Sequence, residues 1–138
     1  MQKAAELANL PTEMDWELRV YFLDDSAMAR SNADYVGHDG ATDVITFCYL
    51  EGGMAGIFPG DIGIELLIDP EVALREGSER EDSSYAQELM LYIVHGLLHS
   101  AGEDDLDPLR VQQMRRREKE VIDALLPTID VEAIFPCP

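Results

Sequence analysis

The chain has 138 residues, enough for one domain over 1–138 and too few for two. Apolar residues make up 46% and charged residues 28%, and there are two cysteines; this excludes a disulfide-built mini-protein and makes a reducing compartment the expectation. The net charge of −18 repels nucleic acid and anionic membranes at long range, yet residues 110–138 carry five acids and five bases, so half of all basic residues fall around Arg115-Arg116-Arg117.

No run of apolar residues is long enough to span a bilayer, and residues 1–6 lack the apolar core of a secretory signal. A cytoplasmic location without membrane attachment is expected. Glu17 to Leu23 alternates and is rich in β-formers, so it reads as a strand. Asp24-Asp25-Ser26 caps a helix to about Tyr35, Val36 to Ala41 is a loop, and Asp43 to Tyr49 is a second strand. Glu51 to Gly60 is a glycine-rich connection and Asp61 to Ile68 a third strand. Asp69-Pro70 starts a short helix, and Gly77 to Ser84 reads as polar and exposed.

Ser84 to Ala101 reads as a long helix whose segment 89–94 is apolar on every face, hence central and buried, with Gly102 as its stop. Asp107-Pro108 opens another helix, ended near Leu126 by Pro127. These elements predict an α+β fold: a small mixed sheet, a central buried metal-binding helix, and flanking helices.

The chemistry concentrates in His95-Gly-Leu-Leu-His99-Ser-Ala-Gly102-Glu-Asp104-Asp105. Histidines at i and i+4 share one helix face and suit two ligands of one metal ion. Gly102 reverses the chain, and Asp105 follows where a third ligand could fold back. Two helical histidines can also be satisfied core residues; the appended Gly102 and Asp105 favour the metal. Two histidines and a carboxylate suit Zn²⁺, or a redox metal such as Fe²⁺, and the return loop favours one zinc ion with a water position. Glu88, two turns before His95, and Asp104 are candidates to orient a ligand through an outer bond. Arg115, Arg116 and Arg117 are candidate RNA contacts, although successive helical residues point in different directions. His38 reads as a solvated loop residue.

This string resembles the signature of the YbeY family, bacterial endoribonucleases of rRNA maturation: His-Gly-x-Leu-His-x-x-Gly-x-Asp-His. His95, Gly96, Leu98, His99, Gly102 and Asp104 match, and Asp105 stands where the family has its third histidine. Tyr35-x-Gly37-x-Asp39-x-x-Thr42-Asp43-Val44-Ile45-x-Phe47 and Gly60-Asp61-Ile62 resemble two further family motifs. Met114 and Glu118 fall at the usual place in the last helix. The resemblance is strongest over 17–126, and the chain looks short at its start.

The resemblance implies a zinc-dependent, single-strand-specific endoribonuclease acting with rRNA and the small ribosomal subunit in ribosome maturation and quality control. Two departures imply low activity. Asp105 replaces a neutral imidazole, and Val36 stands where the family has an arginine tied to RNA cleavage. Two alternatives follow: a non-catalytic, metal-stabilised ribosome-associated protein, and a metzincin-like metalloprotease. The latter requires Glu directly after the first histidine, where this chain has Gly96.

Overall fold

The structure is a computed structural model that describes residues 2–11, 16–36, 43–50, 61–103 and 106–138. Strand β1 (Trp16–Phe22) lies parallel to β3 (Asp61–Ile68), and β2 (Val44–Cys48) lies antiparallel to β3 on its other side, giving the order β1-β3-β2. The central place of β3 follows from its composition. Ile64, Leu66 and Ile68 alternate onto one face and are fully buried, while Glu65 on the other face accepts a hydrogen bond from the Tyr49 hydroxyl at 2.8 Å.

Helix α4 (Tyr85–Ser100) covers the buried face of the sheet. It begins where Ser84 accepts the Gln87 N–H at 3.2 Å, and it buries Leu89, Met90, Ile93, Val94, Leu97 and Leu98. An all-round apolar sequence is what a helix needs when it is enclosed by a sheet on one side and helices on the other. Those helices are α3 (Pro70–Glu79), α5 (Pro108–Leu125) and the short α6 (Val131–Ile134). Helix α1 (Gln2–Leu7) lies against α4 and α5 through Ala4 and Ala5, and Arg117 Nη2 donates to the Leu7 carbonyl at 2.8 Å. Helix α2 (Asp25–Ser31), capped by Asp24 as expected, continues as a π-helical turn over Asn32–Val36.

One boundary differs from the expectation. Residues 78–82 are exposed as read, but α3 runs on through Gly77 to Glu79, and Gly77 sits so close to the start of α4 that an added Cβ would stand 2.6 Å from the Tyr85 nitrogen. The missing side chain permits that approach. Helix α5 ends next to Pro127 as read, and a 3₁₀ turn over Leu126–Thr128 then leads into α6, whose Val131 is buried.

Candidate active site

Gly96 brings α4 against the sheet. An added Cβ there would meet Leu66 Cδ2 at 2.5 Å and Thr46 Oγ1 at 3.0 Å, so the helix approaches as closely as it does only without a side chain at this position. With the Gly96 side of α4 pressed onto β2 and β3, His95 and His99 remain only partly buried. Their rings meet edge to face with centroids 4.7 Å apart, as the i, i+4 spacing requires.

Immediately after His99 the helix closes. The Glu103 N–H donates to the Leu98 carbonyl at 3.0 Å and the Gly102 N–H to the His99 carbonyl at 3.1 Å, with Gly102 at φ +104. This paired closure needs a left-handed residue, which glycine adopts at little cost. It turns the chain directly behind the histidines. Asp104 and Asp105 follow that turn and lie outside the described residues, as do His38 and the 51–60 connection.

Glu118 of α5 meets His95: its Oε1 lies 2.9 Å from the histidine Nδ1. Met114, Val121 and Leu125 are the buried residues of α5, and Glu118 falls on the same stripe at the i+4 place from Met114. A carboxylate in an otherwise apolar stripe is the local signal for this contact. The same-side logic that singled out Glu88 finds a different pairing. Glu88 is 2% exposed, and its Oε1 accepts from Ser83 Oγ at 2.9 Å and Arg80 Nη1 at 3.3 Å. Glu88 thus anchors the segment that enters α4, while the carboxylate at His95 comes from the neighbouring helix.

His95, Glu118, Glu88 and Tyr92 line a cleft of about 370 Å³ between α3, α4 and α5, with Arg80 and Arg115 also on its wall. Burial, reinforced by the Glu88 and Asp43 carboxylates, pushes the Tyr92 hydroxyl well above its ordinary value. The three consecutive arginines diverge rather than forming one face. Arg115 lines the cleft, Arg116 is exposed, and Arg117 turns to Glu120 at 2.6 Å and to α1.

A second group of possible metal ligands, missed by the sequence reading, lies at the end of β3. Asp25, Asp69 and Glu71 bring ligand atoms within 4.8 Å of one another. Asp69 is fully buried; its Oδ1 accepts the Glu71 N–H at 2.9 Å and caps α3, while Oδ2 receives no hydrogen bond. Burial and the neighbouring Asp25 push Asp69 up to about 6. Arg75 grips Asp25 with both terminal nitrogens, at 2.8 and 3.2 Å, and holds that carboxyl well below the usual range. Burial and the neighbouring Asp25 thus favour the protonated form of Asp69 more than in an isolated side chain.

Gly96 also bears on the protease alternative. A metalloprotease base at this position would point into Leu66 and Thr46 and away from the cleft, so that reading is not favoured.

The profile of the family described as Endoribonuclease YbeY matches residues 1–126. A protein of Salinibacter ruber named Endoribonuclease YbeY is 35% identical over 112 residues, which is 80% of this chain and 71% of that protein. The one from Bacillus mycoides is 31% identical over 130 residues, 90% of this chain and 81% of its own length. Its counterpart in Rhodopirellula baltica is 37% identical over 100 residues, 72% of this chain but 48% of that protein. Among solved structures, a Thermotoga maritima protein determined in solution superposes with a TM-score of 0.54 at 22% identity, covering 99% of this chain and 87% of that one, which shows a shared fold. Because the matched proteins bear an enzyme's name, the non-catalytic alternative is not favoured either.

Proposed function

The chain belongs to the YbeY endoribonuclease family, and from that footing we propose that it is a metal-dependent hydrolase that cuts single-stranded RNA internally. Residues 1–138 act as one domain, in the cytoplasm, on rRNA of the small ribosomal subunit during maturation and quality control. Among the described residues no helix is long and apolar enough to cross a membrane.

The observation that carries this reading is the contact between Glu118 and His95. An ionised carboxylate only accepts, so the Nδ1 of His95 donates to it, and in the neutral imidazole that leaves Nε2 as the ring's acceptor. A histidine oriented through its other nitrogen by a carboxylate is the recurring arrangement of metal-ligating imidazoles. His99 stands beside it on the same helix face, and Asp105 follows the closure at Gly102 by three residues in sequence. On this reading one zinc ion would be held by His95, His99 and Asp105. Zinc there would supply a water acidified toward neutrality for attack on a phosphodiester.

The protein's own residues set the rest. Glu118 fixes the tautomer and plane of His95. Gly96 holds the helix at its distance from the sheet. The Asp105 carboxylate lowers the net positive charge at the site, and Val36 contributes no phosphate donor, so turnover is low.

The test is cleavage of a labelled single-stranded rRNA fragment by zinc-reconstituted protein. Internal cuts that a chelator abolishes, that zinc restores and that His95→Ala lacks are expected. Intact RNA in the presence of fully zinc-loaded protein overturns the enzyme reading in favour of a binding protein.

A further inference from the structure

We propose that Arg115 is the residue that grips a phosphate of the RNA strand in the cleft beside His95. The inference rests on the endoribonuclease reading and adds to it a specific contact and a direction of approach.

Of the other cationic side chains of α5, Arg110 pairs with Asp107, Arg117 with Glu120 at 2.6 Å and Lys119 with Asp123 at 2.7 Å. Arg116 has no such partner among the described residues, but it does not line the cleft. Arg115 has an equivalent carboxylate three residues on, Glu118, but Glu118 is turned inward to His95. Diverting that carboxylate leaves the Arg115 guanidinium with no ion pair or hydrogen bond among the described residues. One interaction therefore orients the histidine and releases the arginine.

The surroundings make that release informative. In a chain of net charge −18, Arg19, Arg75, Arg80, Arg110 and Arg117 all have carboxylate partners. Arg80, the other arginine on the cleft wall, is held by Glu76 at 3.1 Å and Glu88 at 3.3 Å, so its charge is already matched. Arg115 is exposed and opens on the same cleft as His95 and Glu118, one helical turn from Glu118. A polyanion repelled by the protein as a whole meets an unmatched positive charge there, next to the histidines. The guanidinium offers five N–H donors in a planar fork, a shape that matches two oxygens of one phosphodiester. The strand would thus enter from the α5 side, with a phosphate on Arg115, and keep clear of the Asp43, Glu76 and Glu88 carboxylates that also line the cleft.

Binding of a labelled, non-cleavable 2′-O-methyl oligonucleotide to the zinc-loaded full chain, followed by anisotropy over a range of salt, tests this. Arg115→Gln should weaken binding about tenfold and flatten the slope of log affinity against log salt by about 0.7, the loss of one single-strand phosphate contact. Arg115→Lys should keep the parent slope and recover part of the affinity, since a point charge replaces a fork. Arg116→Gln, an exposed neighbour outside the cleft wall, should leave both unchanged. Zinc content and thermal unfolding should be the same in all four proteins. Equal losses in Arg115→Gln and Arg116→Gln, or none in either, overturn the inference in favour of diffuse charge. A parent that cleaves RNA while Arg115→Gln binds as tightly overturns the arginine alone. A parent that neither cleaves nor binds overturns the endoribonuclease reading beneath it.

Discussion

Glu118 Oε1 stands 2.9 Å from His95 Nδ1, joining the last turns of α4 to the middle of α5 at the place where the chemistry is expected. Replacing Glu118 with Gln keeps an acceptor but removes its charge and the strength of the bond to the imidazole. Zinc affinity, measured by competition with a chromophoric chelator, should fall about 10- to 100-fold, with the fold retained. Glu118→Ala should lose at least as much. Unchanged affinity in both would mean that His95 does not need this partner to bind metal.

Gly96→Ala should lower stability, because the new methyl must displace Leu66 within a fully packed core. The expected cost is about 1–3 kcal/mol from overpacking, offset in part by about 1 kcal/mol of helix propensity. Denaturant unfolding checks this: the midpoint should fall without a change in slope. A variant more stable than the parent would show that helix propensity outweighs packing at this contact.

The Asp25–Asp69 pair predicts a pH dependence. The folded-state value of Asp69 is raised to about 6 from the ordinary 3.8. The native protein therefore holds a proton that the unfolded chain has released between those values. The stabilisation is complete below about 3.8 and is lost as pH rises through about 6. Asp25 has the opposite sign, its stabilisation being lost only as pH falls below the ordinary carboxylate range. Asp69→Asn keeps the α3 cap, since asparagine caps as well as aspartate. Its unfolding free energy should then vary less between pH 4 and 7 (about the window of the shift) than the parent's. Parallel profiles for the two proteins would remove Asp69 as the source.

The elements that a local pattern specifies were legible in the sequence. Asp61 to Ile68 reads as a strand because Ile64, Leu66 and Ile68 alternate, and α4 reads as buried because its apolar residues leave no polar face. Gly102 was recognisable as a helix stop because only one backbone closure suits it there. Contacts between elements were less legible. Nothing local to Gly77 reveals that α3 continues through it or that α4 starts 2.6 Å from where its Cβ would be. Glu88 was chosen for His95 because it shares a helix with it, whereas Glu118 reaches the same ring across 23 residues of sequence. The displaced charge on the Met114–Leu125 stripe was the clue to that partner. The Asp25, Asp69 and Glu71 cluster joins two helix starts that become neighbours only once β1 and β3 pair, so no window of sequence holds it.

Whether one metal ion at His95, His99 and Asp105 carries out the hydrolysis is read most directly by measuring zinc content and RNA cleavage on the same preparations of the parent, His95→Ala, His99→Ala and Asp105→Ala. Three protein ligands are the usual complement of a catalytic zinc site, so each variant should lose bound zinc and, in step with it, internal cleavage of single-stranded RNA. An Asp105→Ala protein that binds zinc as tightly as the parent, or a histidine variant that cleaves at the parent rate without metal, would contradict the account.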